Sequence, residues 1–539
     1  MVMKALTFDG FTLPVNADAI KDTGGGFVLR GRQVHLELPE NPLRYYRHGW
    51  QSWSLTAWTD PEETVPIQKP YRLHPLQTDP VYSLHSAPNG SWLGAAELAN
   101  GQILLLGALG LESHVALHGQ ELHGWYEAGG GEWFVGYGQE AIVFERYTEL
   151  LAERLGRAHG LPTPRVWCSW YSLYTAIDAP ILMRVFDDLE DLPFDVLQVD
   201  DGWQIAIGDW DSNEKFPDGM QALADRIRAT GRTPGLWLAP LLAVPSSRLF
   251  QDHRDWLLRD EEGGFASAGF LWGEPLYALD TSHPAVLEWL EALMQKVRRW
   301  GYDYAKLDFL FAGALPGKRR ADTPRENAYR QGLQAIRKGL GPDAYLLACG
   351  APVLPSLGLC DALRAGPDVS SAWEFYRDAM LLQNPSTPGV KNAIRTTVNR
   401  LWLQPLIAID PDVVYFTGRY NTLSTKHKRL LQDLALVCDF KATSDLPSWL
   451  TGDEHEELRA FLEANPGVAR TGRYTFRLDG RDIDFRSAMP TAALPQGLIA
   501  LASASLGWVG NQDWAMRLLD RLGKRALEKR KKELQHLLT

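Results

Sequence analysis

Asp308 closes an otherwise apolar, strand-like run, Tyr304-Ala305-Lys306-Leu307-Asp308-Phe309-Leu310. A carboxylate is costly to bury there, so the position suggests chemistry. A second carboxylate follows at Asp368, where Ala362-Leu363-Arg364-Ala365-Gly366-Pro367-Asp368 runs from a strand-like start into a Gly-Pro turn. Two such groups can act as acid and base, or as nucleophile and acid. The residues alone leave the two roles interchangeable. Lys306 lies two positions before Asp308, so in a strand both side chains share a face. Its expected work is to hold Asp308 ionised or to meet a substrate hydroxyl; a buried ion pair is the plain structural use.

Other polar groups stand at the ends of strand-like runs. Asp200-Asp201 ends the candidate strand Val196–Asp200, and Cys349-Gly350 ends the candidate strand Tyr345–Cys349. At a strand end the chain can turn and offer both aspartates to one ligand. Paired aspartates also ligate metals, but no histidine with ligand spacing accompanies them. The four cysteines, Cys168, Cys349, Cys360 and Cys438, are scattered, which suggests neither a zinc site nor a disulfide framework. The expectation is therefore no metal and no cofactor. Trp237 and the pair Trp170-Tyr171 are candidate walls for a ring-shaped ligand, although packing in the core accounts for such residues equally well. Trp373 is close enough in sequence to help desolvate Asp368.

The elements that must position these groups are legible in outline. A chain of 539 residues exceeds one hydrophobic core. Residues 1–160 show period-two runs such as Val34-His35-Leu36-Glu37-Leu38 between glycine clusters, the pattern of an all-β sandwich. Leu161-Pro162-Thr163-Pro164 marks a boundary. Residues 161–460 alternate strand-like runs with helical stretches, and eight candidate strands, from Val166–Tyr171 through Val413–Phe416 to Lys441–Ser444, predict a parallel (β/α)8 barrel. Side chains at the C-terminal ends of such strands converge on one mouth. The long gap before Tyr304, with Trp256, Phe270 and Trp272, predicts an excursion over one barrel end. Ser282 is the expected N-cap of the helix that follows it. Residues 461–539 predict a small β domain, with strands at Arg473–Leu478 and Gly497–Leu501, and a basic amphipathic helix from Gln512 to the end. That helix is expected to pack on the body; a homo-oligomer contact or an anchor to an anionic surface is its other use.

The net charge of −11 disfavours nucleic acid as a partner, and a neutral small molecule or oligosaccharide fits better. No run of apolar residues is long enough to span a membrane and the first residues lack an apolar leader pattern, so a cytoplasmic chain is expected.

Taken together, Trp167-Cys168-Ser169-Trp170-Tyr171, Gln198-Val199-Asp200-Asp201, Lys306-x-Asp308, Phe309-Leu310-Phe311-Ala312-Gly313-Ala314 and Arg364-x-x-x-Asp368 resemble the shorter bacterial α-galactosidases of glycoside hydrolase family 36. The resemblance is close over about residues 160 to 450. It implies a cofactor-free retaining hydrolase of terminal α-linked galactose, with Asp308 as nucleophile and Asp368 as acid/base. It also implies substrate contacts from Asp200, Asp201, Trp237, Lys306, Arg364 and the Cys349-Gly350 turn, the aspartate pair reading the axial O4. Arg364 is placed by it on a sugar hydroxyl or on the nucleophile side. His48-Gly49-Trp50-Gln51-Ser52-Trp53 resembles a segment from which a tryptophan reaches over the barrel mouth; spacing leaves Trp50 and Trp53 both open. Relatives with the same carboxylates include oligosaccharide synthases and α-N-acetylgalactosaminidases, so galactosyl transfer and the acetamido sugar are alternatives, and a non-catalytic sugar-binding protein is a third.

Overall fold

The computed structural model describes residues 3–8, 10–62, 78–82, 85, 87–374, 386–490 and scattered positions between 512 and 532. The N-terminal region is two antiparallel sheets. One has six strands, with Gln33–Glu37 and Glu121–Tyr126 at its centre; the other has seven, centred on Gly131–Gly138 and Ile103–Ala108. Alternation does the sorting. On Ile103–Ala108 the side chains of Leu104 and Leu106 enter a core with Leu6, Leu36, Leu117 and Leu122 of the opposite sheet. Ile103 and Leu105 point the other way, into a core shared with Val143, Phe144 and Tyr147 and with the barrel. The seven-stranded sheet is thus buried on both faces.

Val143, Phe144 and Tyr147 belong to a helix, Glu140–Leu155, inside the region the sequence reading treats as all β. Its buried residues, Val143, Phe144, Tyr147, Leu150 and Leu151, recur at helical spacing. The glycine-punctuated alternation ends earlier than expected.

Eight parallel strands follow. They are β1 (Arg165–Cys168), β2 (Val196–Val199), β3 (Thr233–Leu238), β4 (Tyr304–Leu307), β5 (Tyr345–Ala348), β6 (Ala362–Arg364), β7 (Ala408–Asp410) and β8 (Lys441–Thr443). They pair in order, and β8 pairs with β1. The ring closes where Val414, just beyond β7, bridges Thr443 in parallel; Val414 N–H donates to Ala442 O at 2.8 Å. The fold is a (β/α)8 barrel.

One strand is displaced from its expected place. Val413–Phe416 has the stronger β propensity, but β6 pairs with Ala408–Asp410, through Leu363 opposite Ile409. Only Val414 of the expected segment joins the sheet. Similarly, His283 caps the helix Pro284–Trp300 through its Nδ1, which accepts from Ala285 N–H. Ser282, the expected cap, bonds Asp280 instead.

The C-terminal region contains a three-stranded antiparallel sheet, Val468–Arg470, Thr475–Leu478 and Arg481–Asp484. Arg481 pairs with Asp433 on the helix before β8, and Arg473 pairs with Glu97 and Glu140, so this sheet is tied to both other regions. The expected strand Gly497–Leu501 and most of the terminal helix lie outside the described residues. Among the described residues, no helix is long and apolar enough to cross a membrane.

Candidate active site

The polar groups singled out in the sequence gather at the C-terminal ends of the barrel strands. Asp308 lies one residue past β4, where Phe309 takes a left-handed conformation at φ 53° and turns the chain into Leu310–Ala314. Two donors hold its carboxylate. Trp237 Nε1–H on β3 donates to Oδ2 at 3.1 Å, and Phe309 N–H donates to Oδ1 at 2.8 Å. Trp237 and Lys306 are register partners across β3 and β4, which brings the indole to the end of β4.

Lys306 is not the partner of Asp308. Its Nζ lies 2.9 Å from Asp200 Oδ2, and both side chains are buried. Burial opposes its charge most strongly, but Asp200 together with other neighbours, Cys168 among them, holds the ammonium above the ordinary lysine range. Asp308 comes after the last paired residue of β4, so the strand alternation that predicted a shared face no longer applies.

Asp200 is fully engaged by the protein. Besides Lys306, Gln198 Nε2–H donates to its Oδ2 at 2.6 Å and Asp201 N–H to its Oδ1 at 2.9 Å. Asp201 accepts from Gln204 Nε2–H at 2.6 Å and from Trp272 Nε1–H at 2.7 Å. Burial pushes the Asp201 carboxyl up to about 6, opposed by those two donors. From sequence, Trp272 is expected only as part of the excursion. In the structure it sits at the tip of the hairpin Ser267–Leu271/Glu274–Ala278, where Leu271 pairs with Glu274. Trp272 and Gly273 have φ 55° and 83°, as a two-residue type I′ turn requires. That geometry is unfavourable for a tryptophan; its hydrogen bond to Asp201 and its packing on Trp237 and Phe309, with ring centroids at 6.2 and 5.5 Å, offset the strain.

Across the mouth, Arg364 ends β6. Its Nη1 lies 3.2 Å from Asp368 Oδ1, its Nε 2.8 Å from Asp410 Oδ2 and its Nη2 2.9 Å from Asp412 Oδ1. This places Arg364 on the Asp368 side, not beside Asp308. Asp368 keeps 38 % of its side-chain surface open while protein encloses the rest. That burial pushes its carboxyl up to about 7; the negative charges of Asp412 and Asp308 act in the same direction, and Arg364 opposes. Asp308 is thus near enough to Asp368, at the same end of the barrel, to act on it electrostatically. Trp373, expected to desolvate Asp368, stacks on the His427 imidazole at 4.0 Å.

The remaining candidates divide. Gly350 follows β5 at φ 54°, and a Cβ there would stand 3.1 Å from both Phe309 N and Trp53 Cη2, so any other residue would be strained and crowded. Burial raises the Cys349 thiol well above its usual range, and Asp308 adds to this, which leaves it a neutral neighbour. Tyr171 directs its hydroxyl away to Asp412, donating to its Oδ2. Trp170 is half-buried and packs edge-on against Tyr174. Of the two N-terminal indoles, Trp53 reaches the ends of β4 and β5, lying edge-on to Phe309 at 5.4 Å. Trp50 is buried near Phe311, with the Arg325 guanidinium over its ring. Arg400 fixes that loop: its guanidinium donates to the carbonyls of Gly49, Gln51, Ser52 and Ala365 at 2.6–3.0 Å. Asp410, Asp412 and Arg400 escaped the sequence reading. The pattern Asp410-Pro411-Asp412 was the available signal, hidden by placing β7 after it.

The chain matches a solved α-galactosidase from Thermus thermophilus at 45 % identity, with TM-score 0.86, over 90 % of this chain and 100 % of the other. The chain belongs to the α-galactosidases of glycoside hydrolase family 36. The Melibiase family model agrees, matching residues 136–338. The Thermus protein was solved with p-nitrophenyl α-D-galactopyranoside and, in a second structure, with stachyose. A curated family relative, the α-galactosidase AgaA of Geobacillus stearothermophilus, is 26 % identical over 210 residues, 36 % of this chain and 28 % of its own length. The matched stretch thus spans about a quarter of the curated relatives' length. The solved AgaA structure shares the fold, with TM-score 0.55 at 16 % identity over 84 % of this chain and 66 % of the other.

Proposed function

We propose that this protein is a retaining α-galactosidase that removes terminal α-linked galactose from galactosides and galacto-oligosaccharides. One observation carries the reading. Two carboxyl groups stand in different settings at the same end of the barrel: Asp308, with donors aimed at both oxygens, and Asp368, pushed up to about 7 chiefly by burial. That division suits a nucleophile and an acid. In the first step an Asp308 oxygen bonds to the anomeric carbon while Asp368 gives its proton to the departing oxygen, and the alcohol leaves. In the second, Asp368 takes a proton from water as that water attacks the anomeric carbon and releases Asp308. Two inversions retain the α configuration. Residues 161–460 carry this chemistry and the 1–160 region lends Trp53. The Thermus relative's complexes with an aryl galactoside and with stachyose support the substrate class.

Hydrolysis of paired aryl α- and β-glycosides of galactose, glucose and N-acetylgalactosamine, with NMR of the first-formed sugar, tests the reading. Cleavage of the α-galactoside with α-galactose appearing first is expected. β-Galactose first would overturn retention, and preference for another sugar would overturn the specificity. Repeating the reaction with an acceptor sugar separates hydrolysis from transfer.

Two further results are expected. Because Asp368 must enter the first step protonated, kcat/KM on galactosides with sugar leaving groups should fall as pH rises through about 7. A flat profile to pH 9 would contradict the acid role. Trp272→Phe deletes one donor to a buried carboxylate while keeping a ring at the hairpin tip. An unsatisfied buried acceptor costs about 1–3 kcal/mol of stability, so Tm should fall measurably, and kcat/KM should fall with it because Asp201 loses a group that orients it. Unchanged kinetics would remove Trp272 from the site.

A further inference from the structure

Asp412 lies two residues past β7, fully buried, at φ 78°. A non-glycine residue holds such a backbone only where its surroundings compensate. Four donors surround its carboxylate. Oδ1 accepts from Val413 N–H at 2.8 Å and lies 2.9 Å from Arg364 Nη2; Oδ2 accepts from Val369 N–H at 2.9 Å and from the Tyr171 hydroxyl. Three separate parts of the barrel mouth meet there: the turn after β1, the end of β6 with its Gly-Pro turn, and the segment after β7. Two of these contacts lead to Asp368. Val369 is its chain neighbour, and Arg364 touches its Oδ1 at 3.2 Å.

We propose that Asp412 is a positioning residue for the acid/base step: it pins the turn carrying Asp368 through Val369 N–H and, with Asp410, neutralises Arg364, which can then orient Asp368 without stripping its proton. The inference rests on the reading of Asp368 as acid/base.

The electrostatic logic follows from the contacts. A lone guanidinium beside Asp368 would favour its ionised form. Here the same guanidinium is shared with two carboxylates that are closer to it than Asp368 is. The charged and titratable groups facing Asp412 are Arg364, Asp410, Lys306, Tyr171, Tyr415 and Cys168; those facing Asp368 are Asp412, Arg364, Asp308, Lys306, Tyr171, Tyr415 and Cys349. After burial, Asp412 is the largest influence keeping Asp368 protonated. Burial also raises Asp412 itself, against Arg364 and the Tyr171 hydroxyl; with four donors on its two oxygens, the anion is the form this geometry accommodates.

The test is the pH profile of kcat/KM on a galactoside with a sugar leaving group, for wild type, Asp412→Asn and Tyr171→Phe. Asn keeps the shape and removes the charge. A negative neighbour raises the pKa of Asp368, so its removal should move the alkaline limb to lower pH by on the order of one unit. Tyr171→Phe removes a donor that keeps Asp412 ionised, so it should move the limb the same way by less. The loss at pH 7 should be several-fold larger with the sugar leaving group than with nitrophenol. A limb that stays at the wild-type pH in both variants, with equal losses on both substrates, would reduce Asp412 to a structural residue and overturn the proposal. Wild type that fails to cleave any α-galactoside would sink the parent reading instead, and this inference with it.

Discussion

Asp308→Asn is expected to lower kcat on nitrophenyl α-galactoside by about four orders of magnitude or more, the scale on which loss of a covalent nucleophile is felt. The fold should persist. Trp237 Nε1–H and Phe309 N–H both donate to Asp308, and an amide carbonyl can accept from one of them. Circular dichroism and thermal melting should therefore match wild type. The smaller variant Asp308→Gly sharpens the test. It leaves space beside the anomeric carbon, and added azide should restore cleavage of the aryl galactoside, giving β-galactosyl azide by one inversion. Undiminished turnover in Asp308→Asn would remove the nucleophile from position 308.

Asp368→Ala should separate substrates by their leaving groups. Nitrophenolate departs without a proton, so kcat/KM on nitrophenyl galactoside should fall little. A sugar alkoxide does not, and kcat/KM on a disaccharide should fall by roughly 10²–10⁴-fold, the usual contribution of a positioned acid. The alkaline limb through about 7 should vanish with the carboxyl that sets it. Slow breakdown of the galactosyl intermediate should also lower kcat on the aryl substrate, since no base then activates water. Equal losses of kcat/KM on both substrates would refute the acid assignment.

The two central carboxylates were legible because each violates a local pattern. An aspartate ending an apolar strand, and another after a Gly-Pro turn, are hard to explain by packing. The barrel was legible from its alternation of strand-like and helical runs, and Gly350 from its place after β5. Other roles were not legible. Lys306 and Asp308 share a parity in sequence, yet the strand ends at Leu307 and Phe309 turns left-handed; Lys306 then meets Asp200 from a different strand. Tyr171 looked like a ring wall beside Trp170, but its hydroxyl reaches Asp412, 241 residues away.

What the amino-acid sequence determined by itself is periodicity and the cost of placing a charge: which runs form strands, which helices, and which carboxylates stand where burial is expensive. These are local properties, set within a few residues by backbone geometry and hydropathy. Only the tertiary structure decided partners. Arg364 meets Asp410 and Asp412 as well as its near neighbour Asp368, and Asp201 gains Trp272, because the pairing of β6 with β7 and one hairpin bring together residues tens of positions apart. A carboxyl's chemistry depends on donors and charges within a few ångströms, and in this chain those neighbours come from other strands.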